Sequence, residues 1–152
     1  MRVVPTPRDA LALAGFHDDL LGELDREFDL VAPSLYARML DVARTVEDGE
    51  ATRRLAQPSE SSREGKRLLY TAVRALEPTI AVETGPFNGA STTFILAALE
   101  RNARGRLVSF DLDEAVDAIG VPLPAGHQPT WLVPDELRPR LDLVLGDARS
   151  TL

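Results

Sequence analysis

Apolar side chains recur at helical spacing through the first part of the chain. One stripe holds His17, Leu20, Leu21, Leu24, Phe28 and Val31, and a second holds Leu35, Tyr36, Met39, Leu40, Ala43 and Val46. That spacing places each set on one face of a helix, so the pattern predicts two helices. Pro33 is expected to separate them, and Gly49 is expected to end the second. The polar run EDGEATRRLAQPSESS predicts a linker, which makes residues 1–60 a helical extension with its linker.

From residue 61 the pattern changes to alternating helices and short apolar strands. Ser61 and Glu64 match a capping box at the start of a helix, and Pro78 is expected to end that helix. A second helix is predicted over residues 89–103, with Gly105 as its C-terminal cap. The predicted strands are TIAVE (79–83), RLVSFD (106–111) and LDLVLGD (141–147).

These strands predict a parallel sheet. TIAVE is apolar and rich in β-branched residues, which suggests burial on both of its faces. A helix between two strands favours parallel pairing with a right-handed crossover, so residues 61–152 are predicted to form an α/β domain. The connection over residues 112–140 fits least well because it is long and carries five prolines. Within it, only VPDELR (133–138) is expected to form a helical turn.

Composition narrows the possible partners. The net charge is −7 and the pI is about 4.8, which argues against a general binder of nucleic acid or anionic membrane. The chain has no cysteine, so it has neither disulfides nor a thiolate metal site. The N-terminal segment lacks the order of a signal peptide, and no apolar run approaches the ~18–20 residues of a membrane span. We therefore expect a soluble, cytoplasmic protein.

An acidic residue ends each predicted strand. Glu83, Asp111 and Asp147 would meet at one edge of a parallel sheet, where ligands of such sheets bind. The turn after the first strand, ETGPFNG, contains Gly85 and Gly89. Gly85 allows the backbone to approach a ligand, and Gly89 opens a helix whose free N–H groups attract a negative group.

The chemistry of this turn differs from that of a pyrophosphate loop. Its glycines are spaced G-x-x-x-G and not G-x-G-x-x-G, and Glu83 would repel a pyrophosphate. The acid suits a ligand with an ammonium and a sulfonium, and the helix end suits a carboxylate, which together describe S-adenosylmethionine. Asp111 lies where an acid accepts hydrogen bonds from ribose hydroxyls, and Asp147 is placed to meet an adenine edge.

The runs IAVETGPFNGASTTFILAAL, GRLVSFD and LVLGDAR resemble those of class I S-adenosylmethionine-dependent methyltransferases, most closely the small-molecule O-methyltransferase-like branch. The resemblance covers about residues 61–152. It implies a Rossmann-like sheet of seven strands in the order 3-2-1-4-5-7-6, of which this chain would hold 3-2-1. It also implies a cofactor site formed by Glu83, Thr84, Gly85, Pro86, Phe87, Asn88, Gly89, Ser91, Asp111, Leu112, Gly146, Asp147 and Ala148. Pro86 departs from the usual residue and removes one backbone donor.

The resemblance implies methyl transfer to a small-molecule acceptor by direct displacement. The sequence does not identify a catalytic base, and no metal site is expected. Because the family sheet has seven strands, the chain is expected to be truncated after its third strand. Since the later strands carry most acceptor-site residues of the family, its activity is expected to be impaired. The open edge of its first strand could then pair with a second copy.

Other interpretations of the same residues stay open. The two glycines could form only a tight connection, Asp147 and Ser91 could be helix caps, and Asp111 could be an ordinary loop acid. Trp131 is expected to pack against the sheet, although it could cover the adenine or the acceptor. The alternatives for the whole protein are an NAD- or nucleotide-binding enzyme and a non-catalytic module that pairs through the sheet edge.

Overall fold

The computed structural model describes residues 9, 11–12, 14–112, 120 and 122–146. Its elements are helices α1 (Asp18–Thr45), α2 (Gly49–Ala56) and α3 (Glu60–Leu76), strand β1 (Ile80–Thr84), helix α4 (Ala90–Arg101), strand β2 (Arg106–Asp111), a 3₁₀ helix (Asp135–Arg140) and strand β3 (Leu141–Leu145). The strands pair in parallel in the order β1-β2-β3. This arrangement confirms the α/β class and the predicted order 3-2-1.

Helix α1 runs unbroken through Pro33, so the predicted break there is wrong. The buried stripe continues across the proline, from Phe28 and Ala32 to Leu35. Pro33 itself lies on the exposed side, as does Asp29, whose carbonyl loses its intrahelical partner because proline has no N–H. Burial of the stripe therefore outweighs the loss of one hydrogen bond. Although α1 has 28 residues, no helix in the described part of the chain is apolar enough to cross a membrane.

The predicted linker contains helix α2, which corrects two expectations. Gly49 begins this helix and does not end the previous one, because the side chain of Asp48 caps it by accepting a hydrogen bond from the Ala51 N–H at 2.9 Å. Ala51 and Leu55, four residues apart, are buried and dock the helix on the core. A polar composition thus concealed a short helix with one narrow apolar face.

The helix boundaries around the sheet also differ from the predicted ones. Ser59, and not Ser61, caps α3, since its hydroxyl accepts from the Ser62 N–H at 3.3 Å. Asn102 is the C-cap of α4, so Gly105 lies beyond the end of that helix. The expected helical turn near residue 133 is present as the 3₁₀ helix.

An aromatic cluster joins the N-terminal helices to the sheet domain. The fully buried ring of Phe28 in α1 contacts Tyr70 of α3 with ring centroids 5.9 Å apart, and Phe94 of α4 at 5.5 Å. The guanidinium of Arg67 lies over the same ring, 4.9 Å from its centroid. Because these side chains form part of one continuous core, the N-terminal helices and the sheet share a hydrophobic interior.

Polar contacts surround this cluster and fix the approach of α1 to α3. Arg74 donates to Glu27 at 2.8 Å, and the Tyr70 hydroxyl donates to the same carboxylate. The hydrogen bond from Arg74 is the main reason that the pKa of Glu27 lies below its usual range. Arg67 makes a second such link to Asp29. These pairs therefore set the register of α1 along α3.

Strand β1 is covered on one face only, so its predicted burial on both faces is wrong. Ala81 packs against the core, and Glu83 on the same face bonds to α4. On the opposite face Ile80 is 59% exposed and Val82 is 58% exposed. The apolar sequence of the strand predicts burial on both faces, but no described element covers the second face.

Truncation of Phe28 tests whether the N-terminal helices and the sheet unfold together. Phe28→Ala is expected to lower the free energy of unfolding by about 3–5 kcal/mol, because it leaves a cavity where three helices meet. Leu30→Ala is the control, since Leu30 lies in the same helix but is 81% exposed. It should cost less than about 0.5 kcal/mol. Urea unfolding followed by circular dichroism measures both, and a second transition in the native protein would contradict a shared core.

Candidate functional site

The carboxyl ends of the strands form one continuous edge. The Gly85 N–H donates to the Phe110 carbonyl at 2.8 Å, and the Gly146 N–H donates to the Asp111 carbonyl at 2.8 Å. The end of β1, Asp111 of β2 and Gly146 after β3 therefore lie side by side, as parallel pairing predicts. Asp147 and Ala148 lie outside the described residues, so their adenine contacts stay predictions.

Glu83 is anchored from two neighbouring elements. One carboxylate oxygen, Oε2, accepts from the Thr92 hydroxyl at 2.8 Å and from the Ser109 hydroxyl at 2.9 Å. The other oxygen, Oε1, has no hydrogen bond to the described part of the chain. Burial raises the pKa of Glu83, the two hydroxyls partly oppose that shift, and the negative charge of Asp111 adds to it. The site thus holds an acid with neutral partners and one acceptor oxygen to spare.

Asp111 fixes the conformation of the turn. Its Oδ2 accepts from the Phe87 N–H at 2.8 Å, and its Oδ1 accepts from the Leu112 N–H at 2.8 Å. An ionised carboxylate has about four acceptor positions, so hydroxyl groups of a ligand can still bind. Leu112 is exposed beside it. The interpretation of Asp111 as an ordinary loop acid misses this role in the turn.

The turn has a strained backbone, and hydrogen bonds from a later segment of the chain hold it in place. Phe87 has a φ of 48°, a left-handed conformation that costs free energy for a residue with a side chain. The segment 130–133 lies against it: the Thr130 N–H donates to the Phe87 carbonyl at 2.6 Å, and the Leu132 N–H donates to the Asn88 carbonyl at 2.9 Å. Thr130 is itself left-handed, with a φ of 67°. The chain therefore holds an unfavourable backbone in place at the candidate site.

The two glycines of the turn serve different purposes. At Gly89 a Cβ would lie 2.7 Å from the Thr130 Cα and 2.9 Å from the Val133 Cγ2, so the absence of a side chain is required for close packing of segment 130–133. At Gly85, where φ is 67°, a Cβ would meet nothing within 4 Å. Open space thus lies beside Gly85, where a ligand can approach the backbone.

The N-cap of α4 is Gly89, and no side chain caps this helix, so Ser91 is not its cap. The Asn88 side-chain oxygen accepts from the Ala90 N–H at 3.0 Å, two residues on, as in an Asx turn. The Ser91 hydroxyl bonds to none of the described residues, and intrahelical bonds begin with the Thr93 N–H to the Gly89 carbonyl. Ser91, in the first turn of α4, therefore stays available to a ligand. The sequence alone does not favour a ligand contact of Ser91 over a capping role.

Three further residues of the predicted cofactor site lie in the described part of the chain. Thr84 is exposed at the end of β1, Pro86 is buried, and Gly146 has a φ of 138°. Trp131 is buried and belongs to the hydrophobic core cluster. Over the described ranges, no group of histidine, aspartate or glutamate side chains could hold a metal ion.

Neutralising Glu83 is expected to stabilise the ligand-free protein at neutral pH. Because the folded-state pKa of Glu83 lies above its unfolded value, the folded state binds the proton more tightly. Stability is then greatest below the unfolded pKa and falls as pH rises through the folded pKa. Glu83→Gln removes that charge but can still accept from both hydroxyls, so its Tm should exceed that of the native protein at neutral pH.

The advantage of Glu83→Gln should disappear in acid, where the native carboxyl is protonated. Thermal unfolding across this pH range measures the difference, with Glu77→Gln as the control because Glu77 is exposed. A Glu83→Gln variant less stable than the native protein at neutral pH would show that the ionised form is the favoured one.

Comparison with known proteins identifies the region that carries this site. Residues 82–152 match a family model described as a methyltransferase domain. Neither the curated proteins nor the solved structures gave a match to the chain. The matched range begins within β1 and contains the turn, α4 and Asp111, whereas α1 to α3 precede it. The part of the chain from residue 82 onward is therefore similar to a methyltransferase domain.

Proposed function

We propose that the edge formed by β1 and β2 binds S-adenosylmethionine and serves the transfer of its methyl group to a small-molecule acceptor. The observation that carries this proposal is Glu83, an acid largely withdrawn from water with only hydroxyl partners and one free oxygen. A cationic ligand group beside it would offset the cost of its charge. The methionine part of the cofactor offers two such groups, its ammonium and its sulfonium.

The surrounding residues fit the rest of such a ligand. Open space beside Gly85 admits a ligand against the backbone. Asp111 lies one strand away, and its remaining acceptor positions suit a pair of ribose hydroxyls. Exposed Leu112 offers an apolar surface at the position where the adenine ring would follow the ribose.

The same features oppose a pyrophosphate ligand. Glu83 places a carboxylate beside the turn that would have to receive the phosphates of a dinucleotide, whereas Asp111 suits the ribose of either cofactor. Like charges repel strongly where water is partly excluded. NAD is therefore the comparison ligand for the proposal, and we expect that it does not bind.

Bound at this edge, the cofactor supplies a methyl group on a positively charged sulfur, which an acceptor oxygen or nitrogen can attack in line. The contribution of this chain is to bind and orient. Glu83 would hold the cationic part, Asp111 would hold the ribose, and the strained turn would keep both at a fixed separation. Such positioning accounts for a large share of the rate in displacement reactions. The described residues offer no group that we assign as catalytic base.

Calorimetric titration tests the cofactor directly. The native protein is expected to give a saturable heat with S-adenosylmethionine and none with NAD. Glu83→Gln should weaken binding of S-adenosylmethionine by about tenfold or more, because it removes a charge-assisted contact. The loss should be much smaller for 5′-methylthioadenosine, which lacks both the ammonium and the sulfonium.

Glu77→Gln again serves as the control for a general change in net charge. Saturable binding of NAD in place of S-adenosylmethionine would favour the dinucleotide alternative. An equal loss of affinity for both adenosine ligands in Glu83→Gln would show that Glu83 shapes the site and does not contact the cation.

We also propose a second copy of the chain as a partner, through the open edge of β1. In the described part of the chain, only β2 pairs with this strand, and its backbone groups on the other edge are available. Exposed Ile80 and Val82 adjoin that edge. Light scattering on the eluting protein should give the mass of a dimer, and Val82→Lys should shift it to that of a monomer. A monomer at all concentrations of native protein would contradict the association.

A further inference from the structure

A cavity of about 250 Å³ lies between the turn and the N-terminal helices. Its walls come from α1, α2 and α3 on one side, and from residues 86–91 on the other. All of the first wall precedes residues 82–152, so the match to the methyltransferase domain does not extend to it. No carboxylate is among the described residues that line this cavity, although the chain as a whole has a net charge of −7.

Lys66 places a positive charge in this cavity. It is the single lysine of the chain, since the rest of the 17 basic residues are arginines. Its side chain is only 9% exposed, and its ammonium donates to the Ser62 hydroxyl at 2.7 Å and to the Ser62 carbonyl at 3.3 Å. No carboxylate of the described residues forms an ion pair with it. Burial lowers its pKa.

A buried cation without a counter-ion is costly in a folded protein. Two bonds to one serine satisfy donors of the ammonium but leave its charge uncompensated. Arg54, the other cation that lines the cavity, is already engaged by Glu50 at 2.6 Å. Among the described residues that line the cavity, Lys66 is therefore the cation that no carboxylate contacts, and an anionic ligand group would compensate its charge.

Further donors converge on the same cavity. Tyr36 of α1 forms part of its wall, is 9% exposed, and has a hydroxyl without a hydrogen-bond partner in the described structure. Buried hydroxyls are rarely left unpaired. Ser91 also lines the cavity, in the first turn of α4, where backbone N–H groups lack intrahelical acceptors and the helix dipole is positive.

We propose that this cavity receives a carboxylate group, with Lys66 as its counter-ion and Tyr36 and Ser91 as additional donors. The cavity is small, its polar groups are donors, and it adjoins the turn of the proposed cofactor site. The carboxylate has two possible sources, the methionine part of S-adenosylmethionine and a carboxylate of the acceptor itself. The first source rests on the proposed function, and the second does not.

Binding measured in two neutral variants tests the role of Lys66. Lys66→Met keeps the length and removes the charge, and Lys66→Gln keeps a donor for Ser62 should methionine not be accommodated. Arg104→Met is the matched control, because it removes one positive charge from an exposed position outside the cavity. The probes are S-adenosylhomocysteine, its decarboxylated analogue, benzoate, and benzamide as the neutral counterpart of benzoate.

Each probe pair isolates the carboxylate. If the cofactor supplies it, the Lys66 variants bind S-adenosylhomocysteine about tenfold or more weakly, and bind the decarboxylated analogue as the native protein does. If the acceptor supplies it, they lose affinity for benzoate and not for benzamide, and saturating S-adenosylhomocysteine does not displace benzoate from the native protein. In both cases Arg104→Met binds like the native protein.

The proposal is overturned if the Lys66 variants and the native protein have equal affinity for both carboxylates, or if the native protein binds neither. It is also overturned if Arg104→Met loses as much affinity as Lys66→Met, since net charge alone would then explain the effect. Failure of S-adenosylhomocysteine to bind the native protein contradicts the proposed function, while the benzoate measurement still decides the role of Lys66.

Discussion

The packing of Phe28 against Tyr70 and Phe94 is the contact on which the rest of the arrangement depends. It holds α1 against both α3 and α4, and α4 is the helix that starts at the turn. Further along α1, Tyr36 also packs on Phe94 and lines the cavity. One hydrophobic cluster therefore positions side chains from regions far apart in the sequence around a single turn.

Charges of opposite sign lie on two sides of that turn. Glu83 and Asp111 make the edge of the sheet acidic, whereas Lys66 makes the cavity beneath the N-terminal helices basic. Each charge is partly withdrawn from water, so each acts more strongly on a ligand than a surface charge would. If the cofactor supplies the carboxylate, the bound ligand is a zwitterion, with its cationic group at Glu83 and its carboxylate at Lys66. Free energy lost on folding at these charges would be recovered on binding.

The sequence was sufficient for features that depend on local pattern. Short apolar runs located the strands, and parallel pairing then placed Glu83 and Asp111 at one edge. The sequence was insufficient where contacts between distant residues determine the structure. Helix α1 passes through Pro33 because a tertiary surface buries its opposite face. The isolation of Lys66 likewise depends on which side chains surround it in three dimensions, and no local pattern reports that.

The hydrogen bonds from segment 130–133 to the turn have a consequence for folding. The turn lies some forty residues before the segment that closes it, so its conformation belongs to a long-range contact and not to the local strand-turn-helix unit. Contacts between residues far apart in the chain carry a larger loop-closure cost than local ones. The left-handed backbone of Phe87 gains its hydrogen bond only when Thr130 is in place. A chain that kept the turn but lost segment 130–133 would therefore have the residues of the site without the contacts that hold their conformation.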